Sequence, residues 1–128
     1  MEISISEDKG KVPVTVFKIK GNINSEVELQ EKAKAAHAEG ANYLLLDLSE
    51  VPYMSSSGLR ALHYIFSLLR TAGESEQATR TGIAAGTYAS PNLKLYKPNN
   101  HVLEVLKTAG YDMFLQIHND YKKAIASF

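Results

Sequence analysis

A chain of 128 residues is enough for one domain with a real core, and its 45% apolar and 22% charged residues are ordinary globular values. Fourteen Lys and Arg balance fourteen Asp and Glu, so the formal net charge is zero, and the basic excess by which nucleic-acid binders displace counterions is missing. The absence of cysteine excludes disulfide and thiolate chemistry, and no run approaches the roughly 20 apolar residues that a membrane-spanning helix needs. The opening Met1-Glu2-Ile3-Ser4 has neither the basic nor the apolar region of a leader. The expectation is a cytoplasmic protein with no membrane span and no direct nucleic-acid binding.

The elements follow in chain order. Ile3 to Ile5 and Val12 to Lys20 read as strands joined by a Lys9-Gly10 turn, with Val12, Val14 and Val16 alternating on one face. Ser25 with Glu28 three residues on has the pattern of a capping box, predicting a helix to about Glu39 with Gly40 as its left-handed stop. Its alanines (Ala33, Ala35, Ala36 and Ala38) suggest close packing on a sheet. Tyr43 to Leu48 is apolar without alternation, as in a central strand covered on both faces. A loop from Ser49 to Ser55 leads to a helix from about Ser56 to Ala72, with Leu59, Leu62, Ile65, Phe66 and Leu69 on one side. Residues 73–91 show no steady period and read as a long flexible insertion, with a short strand near Ile83. A strand from Leu93 to Tyr96, a helix from Asn100 to Ala109 stopped by Gly110, a strand from Met113 to Ile117 and a helix capped by Asp120 complete the chain. This order predicts a single α/β domain over residues 1–128: a mixed sheet of about five strands with about four helices packed on it.

The most informative stretch is Leu44 to Leu62, LLLDLSEVPYMSSSGLRAL. A buried strand ends near Asp47 and Leu48, a loop crosses the top of the sheet, and Ser55, Ser56 and Ser57 open a helix. Ligands and partners of open α/β sheets gather beyond the carboxyl ends of the strands. The free N–H groups and dipole of a helix start favour negative charge there. Steps of four and seven from Ser56 return close to one line, so Arg60, His63 and Ser67 share its stripe, opposite Leu62, Ile65 and Leu69.

This segment resembles the sulfate-transporter and anti-sigma-antagonist domain family, STAS. The match lies in Asp47-Leu48-Ser49, Tyr53-Met54 and Ser56-Ser57-Gly58-Leu59, and extends to Gly21, Leu93-Lys94-Leu95, Val102 to Leu106 and Thr108-Ala109-Gly110. Ser55 stands where the family has an acidic residue, and the connection at 73–91 is longer than the family's. The resemblance implies an anti-sigma factor antagonist acting in signal transduction and transcription regulation. It implies a phosphoserine at Ser56, an anti-sigma factor with serine kinase activity as partner, and a serine phosphatase that resets the switch. ATP belongs to the partner, since this chain has no G-x-x-x-x-G-K-[ST] loop, and no cofactor is expected. The expected partner-binding residues are Ser55, Ser56, Ser57, Gly58, Arg60 and His63.

Other readings have less behind them. Serines before a helix are often plain caps, and Asp47 is expected to satisfy local backbone donors. Gly58 is expected to allow a close helix–sheet approach. An Asp47, Ser56, His63 hydrolase lacks a G-x-S-x-G elbow and a recognisable oxyanion hole, so no enzyme is expected. His37, His63, His101 and His118 have no metal-ligand spacing, and the seven tyrosines are dispersed as packing residues. The alternative from a different class is a non-switching member of the same fold, serving as a scaffold or as a small-ligand or lipid-transport accessory subunit.

Overall fold

The computed structural model of the chain describes residues 1–23, 25–69 and 90–128. The expected insertion at 73–91, its strand near Ile83 and the last turn of the helix before it fall almost wholly outside the described residues. Five strands lie in the order β1-β2-β3-β4-β5: β1 (Glu2–Lys9), β2 (Pro13–Lys20), β3 (Leu44–Glu50), β4 (Leu93–Tyr96) and β5 (Gln116–His118). The β1–β2 hairpin is antiparallel, running from Glu2 opposite Lys20 to Lys9 opposite Pro13, and every other pairing is parallel. The described helices are α1 (Glu26–Ala38), α2 (Ser56–Leu69), α3 (Asn100–Thr108) and α4 (Tyr121–Ala126). This is the expected mixed sheet with helices packed on it.

Strand alternation divides the interior into two unequal layers. Phe17, Ile19, Leu44, Leu46, Leu48, Leu93 and Leu95 face the main core, which α1, α2 and α3 close with Leu29, Leu62, Ile65, Val102 and Leu106. Val14, Val16 and Leu45 face the other way, against Ala124 and Ile125 of α4. Strand β3 is therefore apolar at successive positions because neighbours cover both of its faces.

The local signals act largely as expected. Gly40 has φ +101°, and the amides of Gly40 and Ala41 bond to the carbonyls of His37 and Ala36 at 3.0 Å each, a Schellman closure of α1. At the other end, Ser25 is extended but its side chain makes no cap hydrogen bond, so the expected capping box is not formed. Of the α1 alanines only Ala33 is buried. The last strand is shorter than its sequence suggested: Tyr111–Met113 forms a 3₁₀ turn, Phe114 and Leu115 fill the core, and pairing begins only at Gln116 opposite Lys94. Those apolar side chains are buried by a turn before the strand starts, which sequence pattern does not distinguish from strand burial.

Candidate functional site

The serine loop sits beyond the carboxyl end of β3. Midway along β3, Asp47 is 8% exposed and its Oδ1 accepts a hydrogen bond from the Ser49 amide at 2.9 Å. Asp47 thus does the local turn work expected of it. Val51 and Met54 then turn into the core, leaving Pro52 and Tyr53 outside.

Two neighbouring segments hold this loop. On one side, Met54 bridges to Ile23 in parallel register. The Ile23 amide donates to the Tyr53 carbonyl, and the Ile23 carbonyl accepts from the Ser55 amide, each at 3.0 Å. The Ser55 hydroxyl donates to the same carbonyl at 3.2 Å. On the other side, the Asn99 side-chain amide donates to the carbonyls of Val51 and Pro52 at 3.2 and 3.3 Å, while its Oδ1 accepts from the Val102 amide and caps α3. The Tyr53 ring stacks on His101 with centroids 5.3 Å apart. Sequence reasoning missed Ile23 and Asn99. Asn99, a good capping residue directly before an amphipathic segment, carried a readable signal for the helix start but none for its reach to the loop.

Gly58 is buried where α2 passes closest to the Ile23 bridge. A Cβ there would lie 2.6 Å from Met54 Cγ and 2.9 Å from Ile23 Cγ2. The close approach is therefore to the loop and the β2–α1 connection, more than to the sheet itself.

The predicted site residues separate into distinct roles. Ser55 is half-buried and committed to Ile23. Ser56 is exposed, and among the described residues its hydroxyl has no hydrogen-bond partner. The Ser57 hydroxyl accepts from Arg60 Nη2 at 3.1 Å, and Arg60 Nε pairs with Glu26 Oε1 of α1 at 3.4 Å. His63 is exposed one turn further on, its ring 6.2 Å from that of Phe66. Arg60, His63 and Ser67 border one shallow depression with Tyr64 and Tyr111. The Tyr111 hydroxyl donates to the Leu59 carbonyl at 2.9 Å, and burial raises its pKa. The stripe inferred from helical spacing is thus a continuous exposed surface. Asp47, Ser56 and His63 share no hydrogen bond among the described residues.

The first turn of α2 is open to an anion. Leu59 is its first residue whose amide bonds back along the helix, to the Ser55 carbonyl at 3.1 Å. Among the described residues the amides of Ser56, Ser57 and Gly58 have no backbone acceptor. These donors and the helix dipole give the loop a positive potential, to which the Arg60 guanidinium adds. Among the described residues no three His, Asp or Glu side chains are grouped to hold a metal, and no helix is long and apolar enough to cross a membrane.

Known proteins of this shape have related descriptions. An anti-sigma factor antagonist from Mycobacterium paratuberculosis superposes with a TM-score of 0.69 at 16% identity, covering 98% of this chain and 93% of its own. A candidate anti-sigma factor antagonist from Thermotoga maritima gives 0.66 at 18%, covering 94% and 91%. The Bacillus cell fate determinant SpoIIAA in its phosphorylated form gives 0.62 at 14%, covering 97% and 96%. At these identities the likeness establishes the fold. At the level of sequence, no curated protein matches the chain. The family model of the STAS domain matches residues 6–75, more than half of the sequence and the whole serine loop, and the chain belongs to the STAS domain family.

Proposed function

We propose that this protein is a non-enzymatic, phosphorylation-controlled binding module of the anti-sigma factor antagonist type. Its partner is an anti-sigma factor with serine kinase activity, and a serine phosphatase reverses the modification. The carrying observation is the exposed Ser56 hydroxyl, without a hydrogen-bond partner among the described residues, at a helix start on a loop held from both sides. A phosphate adds about −1.5 to −2 charges. The free amides tolerate that charge, so the fold is kept. An interface over Ser56, Arg60 and His63 must desolvate or pair it, so binding is lost. A structural relative described as an anti-sigma factor antagonist, and another, the cell fate determinant SpoIIAA, in a phosphorylated form, support the reading.

Ser57 is a second acceptor with its own supporting observation, since its hydroxyl already touches Arg60. Capture of partners from native lysate in the presence of ATP, followed by mass mapping of phosphoserine, tests the assignment. Label at Ser56 that disappears in Ser56→Ala supports the primary reading, and label confined to Ser57 moves the switch by one residue. Capture of transport or scaffold components with no serine labelled sinks the switch and favours the non-switching alternative.

A further inference from the structure

Arg60, a cation in contact with the serine loop, already has an anion. Arg60 reaches forward from α2 to Glu26 in the first turn of α1, and back to the Ser57 hydroxyl. The contact with Glu26 is long, at 3.4 Å from Nε, and Arg60 keeps 60% of its side-chain surface exposed. Exposed pairs of this kind are weak and screened by salt. A phosphate on the same helix is a stronger competitor: it has more charge, three acceptor oxygens, and a geometry that accepts two parallel guanidinium bonds. Ser57 is three residues before Arg60 and Ser56 is four, the two spacings that bring helix side chains together.

We infer that Arg60 is an internal phosphate reader: on modification of the serine loop it exchanges Glu26 for the phosphoserine, uncoupling the starts of α1 and α2. This rests on the loop being phosphorylated, and holds whichever of Ser56 and Ser57 is the acceptor. The exchange gives the modification two consequences. The guanidinium is withdrawn from the surface offered to a partner, and the Glu26 carboxylate is released at the rim of the same surface. Both add to the charge change that the phosphate itself makes.

The test needs no partner, so it is independent of whether the antagonist reading is right. The full chain is prepared with phosphoserine at position 56 and, separately, at position 57, each with Arg60→Gln and with Glu26→Gln. The second ionisation of the phosphate, ordinarily near pH 6, is followed by ³¹P NMR. A neighbouring guanidinium favours the dianion, so at one position or both it should titrate lower by about half a pH unit, a surface-exposed fraction of the shift a closer pair gives. Arg60→Gln should reduce that depression to what the helix start alone gives, and Glu26→Gln, which removes the competing carboxylate, should keep or deepen it. A depression undiminished in Arg60→Gln would assign it to the helix start alone and overturn the inference. So would the absence of any depression at both positions.

Discussion

Two of the serine-bearing polar clusters among the described residues differ in whether their groups are already satisfied. On the thin face of the sheet, Lys94 is 3% exposed, and its ammonium donates to the Ser127 carbonyl at 2.7 Å and the Ser127 hydroxyl at 3.1 Å, above the Phe128 ring. The Ser127 hydroxyl also donates to the Ala124 carbonyl at 2.6 Å and approaches His118 Nε2 at 3.4 Å. Every group there has a protein partner, and the cluster fastens the end of α4 to β4. At the serine loop, Ser55 is tied in the same structural way, but Ser56 is exposed, and among the described residues the first amides of α2 have no backbone acceptor. A closed cluster built on a buried lysine holds the fold together, while an open one is available for a modification or a partner.

The sharpest way to break this comparison is to remove the sheet that supports both clusters. Leu46→Asp or Leu45→Asp would bury an unpaired carboxylate in β3, where both leucines are fully buried. The cost, several kcal/mol and on the order of the whole stability of a small domain, should unfold the protein. Retention of the circular-dichroism spectrum and melting temperature in both variants would contradict the two-layer assignment of β3.

A smaller effect is expected at Gly58. An alanine there gains up to about 1 kcal/mol of helix propensity but overpacks Met54 and Ile23, at a cost of about 1–3 kcal/mol. Gly58→Ala should lose about 1–2 kcal/mol in denaturant titration, with chemical-shift changes centred on Ile23 and Ser55. A neutral or stabilising substitution would show that the loop is not clamped against α2.

The smallest effect distinguishes the closed cluster by pH. Burial, and then the positive charge of Lys94, hold the His118 pKa below its ordinary value of 6.5. The unfolded chain therefore takes up this proton first. The neutral histidine's contribution is fully present above pH 6.5 and is lost as the pH falls through 6.5 towards the folded value. Burial also lowers the pKa of Lys94. Stability measured at pH 7.5 and 5.5 should fall on acidification, with hydrogen exchange in α4 rising first, and His118→Gln should flatten the change. An unaltered pH slope in that variant would remove His118 from the latch.

Sequence made much of this architecture readable, for identifiable reasons. The unalternating run at Leu44–Leu48 announced a strand covered on both faces, and helical spacing placed Arg60, His63 and Ser67 on one exposed stripe. Gly40 and Gly110, both with positive φ, stopped helices where expected. The clamp on the serine loop was not readable, because its bonds join residues far apart in the chain: Ser55 to Ile23, and Asn99 to Val51 and Pro52. Nor was the Arg60 link to Glu26, which depends on how α1 and α2 pack. The sequence also does not separate the three serines. Only the fold shows Ser55 tied to a backbone carbonyl, Ser56 open and Ser57 touching a guanidinium.

The central claim is that charge at the open cluster changes binding while leaving the fold alone. Its most direct test is paired calorimetry and thermal melting of the unmodified chain, Ser56→Asp and the phosphoserine-56 protein, with the captured partner as titrant. The account predicts melting temperatures close together and partner affinity weakened at least about tenfold by phosphoserine, equivalent to about 1.4 kcal/mol, with aspartate weaker in effect because it copies phosphate poorly. Equal affinity of the modified and unmodified proteins, or a loss of affinity accompanied by an equal loss of folding, would contradict it.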